Sequence, residues 1–239
     1  MNNIITIKNL CKAYPSFELK NVSFSLQKGS IMGFIGRNGA GKTTTLKCLL
    51  NLVHPDNGEI SFFGQLRNDM NEDEIKQRIG FAAGGVDYYR VKPIRKIAAA
   101  TASFYKSWDN DAYKKYMELF SLDESKAPKE LSDGMKVKFN LALALSHGAE
   151  ALILDEPTSG LDPVSRNELL RIFTELAQEG ISVLFSTHIT SDLDRCADCV
   201  TYIKRGRIIA SGKKSDLIGS FGGGTLEDVM LNIEEDEAI

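Results

Sequence analysis

Eight residues, GRNGAGKT from Gly36 to Thr43, constrain this chain more than any other stretch. They match G-x-x-x-x-G-K-[ST] without a mismatch, between an apolar run, Ile31–Ile35, and a helical pattern, Thr44–Leu50. Strand, glycine-rich turn and helix in that order make an anion cradle. The glycines let the backbone curl until successive N–H groups point at phosphate oxygens, and the helix N-terminus adds its positive pole. Lys42 then places a point charge on the β and γ phosphates of a nucleotide, and the Thr43 hydroxyl suits Mg²⁺. Nucleotide contacts are expected from Gly36, Arg37, Asn38, Gly39, Ala40, Gly41, Lys42, Thr43 and Thr44.

A second stretch, ALILDEP (151–157), supplies carboxylates. A short buried strand ending in Asp155 suits holding Mg²⁺, directly or through water, at the carboxyl edge of a parallel sheet where nucleotides bind. Glu156 follows at once and points to a different face, where a carboxylate beside the γ phosphate suits a general base for the attacking water. His188 closes another buried run, ISVLFSTH, on the same expected edge, within reach of the γ phosphate or that water. His54, in a loop beside Pro55, and His147, in a last helical turn where a cation is favoured, have structural explanations and receive no role.

The remaining pattern places these motifs in an α/β chain. Strand-like runs fall at Ile4–Ile7, Val22–Leu26, Ser30–Ile35, Glu59–Phe63, Arg78–Ala83, Ala151–Leu154, Ile181–Ser186, Val200–Ile203 and Arg207–Ala210. The last two flank a turn at Arg205-Gly206. A helix is expected over Val164–Glu179, stopping at Gly180. From about Gly85 to Ser146 strand alternation disappears and helix formers dominate, which reads as a helical insert. The early strands have hairpin-like spacing and suggest an antiparallel edge sheet beside the parallel one. One unit over 1–239 is expected, with an α/β core in 1–84 and 147–215, the insert in 85–146 and a short tail in 216–239.

Composition excludes several alternatives. Apolar residues make up 43% and charged residues 26%, ordinary globular values. A formal charge of −3 offers no basic footprint for nucleic acid, so none is expected as a partner. No run reaches the roughly 18 apolar residues of a spanning helix, and the start lacks a signal-peptide design, so a cytosolic protein is expected. Four cysteines, Cys11, Cys48, Cys196 and Cys199, are too scattered for a disulfide framework. The C-x-x-C at Cys196 and Cys199 lacks a second ligand pair and reads as two small semi-buried residues. The acidic run Glu234-Glu235-Asp236-Glu237 reads as a solvated end.

One further stretch, LSDGM (131–135), opens a helix at Ser132 and looks like a second anion site. GRNGAGKT, LSDGM, LILDEP, SGLD (159–162) and Thr187-His188, in that order and spacing, resemble the ATP-binding subunit of ABC transporters, from about Ile4 to Leu231. The resemblance implies a P-loop NTPase (RecA-like) core and two subunits packed head to tail around two ATP molecules. Each ATP would be held by the phosphate loop of one subunit and the signature of the other. Ser132 and the Gly134 backbone would then cap a γ phosphate bound to the neighbour, Asp162 would lie at the dimer interface, and Tyr14 would stack on adenine.

Two positions depart from the family pattern. Asp133 and Met135 stand where the signature has Gly and Gln, and Asp133 is expected to point away from the phosphate. In IGFAAGGVDYY, Gly84 or Gly85 stands where the family places a glutamine, with Tyr88 and Tyr89 available to a membrane partner or to packing inside the insert. The stretches FYKSWD, ELSDGMKVKFNLALALSHG and STHITSDLDRCAD resemble the branch serving exporters of antimicrobial peptides, peptide toxins and antibiotics. The expected activity is ATP hydrolysis driving export of a peptide or drug-like substrate through separate membrane permease subunits, on the inner face of the cell membrane. The second ATPase subunit is a copy or a related chain. A soluble ABC ATPase on a protein assembly, or a regulator without turnover, are the alternatives, and Glu156 argues against the second.

Overall fold

The computed structural model describes residues 3–68, 70–83, 89–220 and 224–235. The elements run β1 (Asn3–Tyr14), β2 (Phe17–Gln27), β3 (Ile31–Ile35), α1 (Lys42–Leu49), β4 (Asn57–Phe62), β5 (Gln65–Leu66), α2 (Glu72–Gln77), β6 (Ile79–Ala83), α3 (Ile94–Ala102), α4 (Asn110–Leu119) and α5 (Asp133–Ser146). They continue as β7 (Ala151–Asp155), α6 (Pro163–Gln178), β8 (Ser182–Thr187), α7 (Thr190–Cys196), β9 (Cys199–Lys204), β10 (Arg207–Lys213), α8 (Lys214–Ser220) and α9 (Leu226–Glu235).

Two sheets carry the fold. The first is antiparallel, in the order β2-β1-β4-β5, and the second runs β10-β9-β3-β8-β7-β6. In the second, β9, β3, β8, β7 and β6 are parallel and β10 closes the edge as an antiparallel hairpin with β9. The parallel strands are largely apolar because helices cover one face and α1 with the antiparallel sheet covers the other; β3 is buried along its length and β8 at every position. One core lies between this sheet and the helices, with the Phe173 ring tilted against Phe185 at 5.5 Å between centroids, and the other joins the two sheets through Ile5, Leu19, Phe34 and Leu184. Full burial of each such side chain is worth roughly 1.5–3 kcal/mol.

Register decides where chemistry can occur. Ile35 at the end of β3 pairs with Thr187 at the end of β8, and Leu154 of β7 pairs with Phe185 of β8. The phosphate loop, Asp155-Glu156 and His188 therefore leave three adjacent strands at one edge. The stretch 94–146 is helical, with α3, α4, a 3₁₀ turn at Pro128–Glu130 and α5.

His147 corrects one expectation. It follows α5 as foreseen, yet it is not a cation serving the helix end: it is 2% exposed and stacked on Tyr105 at 3.7 Å, and burial pushes its pKa below the ordinary value. Its Nδ1 lies 3.2 Å from the Gln77 carbonyl, tying α5 to the segment before β6.

Candidate ATP site

The phosphate loop is held open by its surroundings. Gly41 caps α1 at φ +116°, and a Cβ there would lie 2.6 Å from Leu19 and 2.8 Å from Phe17. A Cβ on Gly36 would lie 2.3 Å from the Ile203 carbonyl. Side chains at either position would force the loop off its strand. Arg37, Asn38 and Gly39 are exposed on the outer turn, Ala40 is buried, and Thr43 and Thr44 stand in the first turn of α1 with Thr43 exposed. The helix begins two residues earlier than its sequence pattern, because left-handed Gly41 already turns the chain into helical hydrogen bonding: Thr45 N–H donates to the Gly41 carbonyl at 2.9 Å.

Lys42 reaches back into the loop. Its side chain is 5% exposed, and its ammonium donates to the Gly36 carbonyl at 2.7 Å and lies 3.1 Å from Glu156 Oε1. The other oxygen, Glu156 Oε2, lies 2.9 Å from His188 Nδ1. Lysine from the start of α1, and glutamate and histidine from the ends of β7 and β8, thus meet in one chain of contacts. Glu156 holds this position at φ +50°, a left-handed conformation that non-glycine residues seldom adopt and that costs of order 1–3 kcal/mol.

Ser186 fixes both acids and was not foreseen. Fully buried in β8, it donates to Asp155 Oδ1 at 2.6 Å and accepts the Glu156 N–H at 2.9 Å. The available signal was a hydroxyl inside an apolar strand, two residues before His188. The donor set near the loop is hard: the Thr43 hydroxyl and the Asp155 carboxylate. Among the described residues no three His, Cys, Asp or Glu side chains group as metal ligands, so a cation here would complete its shell with phosphate and water, as Mg²⁺ does.

This arrangement has relatives. The ABC transporter family profile matches residues 19–159. The chain belongs to the ABC transporter family. It is 36% identical over 213 residues to the bacitracin transport ATP-binding protein of Bacillus licheniformis, covering 87% of this chain and 69% of that one. It is 33% identical over 229 residues to the linearmycin resistance ATP-binding protein of Bacillus subtilis, covering 93% and 73%. A solved ATP-binding subunit of an ABC transporter superposes with a TM-score of 0.86 at 28% identity, covering 97% of this chain and 99% of that one. An ATP-binding cassette dimer bound to ADP and Pi shares the fold, with a TM-score of 0.76 at 21% identity over 87% and 98%.

The other anticipated positions of this ABC chain lie apart from the Lys42–Glu156–His188 cluster. Tyr14 ends β1, 42% exposed, with Lys12 Nζ 5.8 Å from its ring centroid. Ser132 caps α5, its hydroxyl accepting the Met135 N–H at 3.3 Å. Asp133 Oδ1 accepts from the Lys136 ammonium at 3.0 Å at the surface. Asp162 caps α6 through the Val164 and Ser165 N–H groups, and the Ser165 hydroxyl bond chiefly holds its carboxyl below the usual range. Tyr89 is exposed rather than packed in the insert, while Gly84, Gly85 and Tyr88 lie outside the described residues. Cys196 closes α7, opposite the end that activates thiolates, and burial raises its pKa to about 12. No helix among the described residues is long and apolar enough to cross a membrane.

Proposed function

We propose that this chain is the ATP-hydrolysing motor subunit of an exporter that moves a peptide or drug-like substrate through separate membrane permease subunits. The observation that carries the reading is Glu156, whose two oxygens meet Lys42 at 3.1 Å and His188 at 2.9 Å beside the phosphate loop. ATP phosphates would lie on the N–H groups of 36–44, with Lys42 turning from the Gly36 carbonyl and Glu156 to the β and γ oxygens. Thr43 and Asp155 would hold Mg²⁺, which offsets phosphate charge when bound. Released from Lys42, Glu156 orients and deprotonates the attacking water, and His188 fixes its carboxylate and reaches toward the γ phosphate.

Dimerisation is supported by Gly134. A Cβ there would meet nothing closer than Ser165 at 3.5 Å, so the chain's own packing does not demand glycine. Close approach of a neighbour's γ phosphate does, and Ser132 and Asp162 stand exposed beside it to face that neighbour. Tyr14 would stack on adenine. The transport reading follows the family and the names of the two Bacillus relatives; a membrane partner would hold the chain on the inner face of the cell membrane, in the cytoplasm.

The test is Glu156→Gln. ATP binding should persist while turnover falls about 10²-fold or more and an ATP-bound dimer accumulates, read by steady-state hydrolysis and by mass in ATP. Hydrolysis at the wild-type rate would remove Glu156 from the role of base.

A further inference from the structure

β1 overhangs its sheet at the end that carries Tyr14. Its ladder with β4 stops at the Cys11–Asn57 pair, while its pairing with β2 continues past a bulge between Leu10 and Lys12 to Ala13–Glu18 and Tyr14–Phe17. Residues 12–14 therefore have a strand on one side only. Asp56, the last residue before β4, takes up the other side. Its backbone N–H donates to the Cys11 carbonyl at 2.8 Å, and its carboxylate accepts the Lys12 ammonium at Oδ1 and the Ala13 N–H at Oδ2, each at 2.7 Å. The Lys12 ammonium first, and the Ala13 N–H after it, hold the Asp56 carboxyl below its ordinary range. One residue thus grips three in succession, and the next along the chain is Tyr14. On its β2 side Tyr14 pairs with Phe17, whose ring lies against the phosphate loop: a Cβ added to Gly41 would approach it to 2.8 Å. The Tyr14 backbone is tied on both flanks while its ring stays 42% exposed.

We propose that Asp56 is a positioning residue for nucleotide binding: by extending the β4 ladder to Lys12 and Ala13, it fixes the Tyr14 ring at the spacing from the phosphate loop that a nucleotide spans. The inference rests on the proposed reading of Tyr14 as the adenine platform. A base stacks on a flat ring with little directional demand, so the place of the ring decides how well base and triphosphate are held at once. A platform already set at encounter spares the nucleotide the cost of ordering it.

The experiment titrates Mg-ATP into the full chain and closes a double-mutant cycle between Asp56→Ala and Tyr14→Ala. Tyr14→Ala should weaken ATP binding about tenfold, the usual worth of a base stacked on an aromatic ring. Asp56→Ala should weaken it about threefold, change kcat at saturating ATP by less than about twofold, and add nothing in the Tyr14→Ala background. Asp56→Asn keeps an acceptor for the Ala13 N–H and should recover the wild-type affinity to within about twofold. Amide hydrogen exchange reads the bond itself: the Ala13 amide should exchange about tenfold faster in Asp56→Ala and stay slow in Asp56→Asn. Unchanged affinity in Asp56→Ala, a loss confined to kcat, or additive effects of the two alanine variants overturns the inference and leaves Tyr14 as the platform. Unchanged affinity in Tyr14→Ala sinks the adenine reading and the inference with it. A wild-type chain that binds no Mg-ATP sinks the proposed function.

Discussion

The glycines of the phosphate loop and the glycine of the signature answer to different demands. Gly36 and Gly41 are required by this chain itself: added Cβ atoms would strike Ile203 and Leu19 at 2.3 and 2.6 Å. Gly134 has room for a Cβ in ordinary contact with Ser165 at 3.5 Å. The first site is shaped from within, where three neighbouring strands deliver Lys42, Glu156 and His188 to mutual contact. The second is the start of one helix, beside Leu161 and Ser165. On the proposed reading the first site is complete by fold and the second is a half-site complete only by encounter, so the two should respond differently to mutation.

Lys42→Ala attacks the internal site and should have the largest effect. Losing a buried cation opposite phosphate should weaken ATP binding about 10²–10³-fold, measured by titration with a nucleotide analogue; unchanged affinity would erase the distinction between the two sites. Ser132→Ala attacks the half-site. It should cost about 1 kcal/mol in capping α5, and about tenfold in turnover with binding to the monomer untouched. Mixing Ser132→Ala and Lys42→Ala subunits then separates cis from trans. If the signature serves the neighbour's nucleotide, the heterodimer carries both lesions at one site and keeps the other whole, at about half the wild-type rate. A heterodimer no more active than either homodimer would break that picture.

His147 tests how the α5 region is attached. Its pKa is lowered by burial from the ordinary 6.5, so the unfolded chain binds the proton more readily. The stabilisation is present above about pH 6.5 and is lost as pH falls toward the folded value. Melting temperature should drop by about 2–4 °C for each 1 kcal/mol lost on acidification, and His147→Phe, which keeps a ring against Tyr105, should flatten that slope. The smallest effect is expected from Asp133→Gly. Because the carboxylate already turns to Lys136 at the surface, ATP-dependent dimerisation should strengthen by no more than about twofold.

Much of the internal site was legible because its signals are local. GRNGAGKT directly follows a strand and ALILDEP contains one, and each places a turn and a charge within eight residues. The β strands were legible as apolar runs, and the Arg205-Gly206 turn shows in its two left-handed residues. The short α2 escaped because EDEIKQ holds one buried residue, Ile75, too few to mark a period, and the two-residue β5 had no pattern to show. Ser186 escaped because its value lies in bonds to residues thirty positions away. His147 was placed correctly along the chain but misread in charge, since the stacking partner that buries it, Tyr105, is distant in sequence.

Glu156 stands where backbone geometry would prefer glycine, at φ +50°. If turnover depends on this carboxylate as proposed, folding and turnover pull in opposite directions at one position. On the proposed role of Glu156 as base, a substitution chosen only for backbone comfort would yield a sturdier protein that does no work.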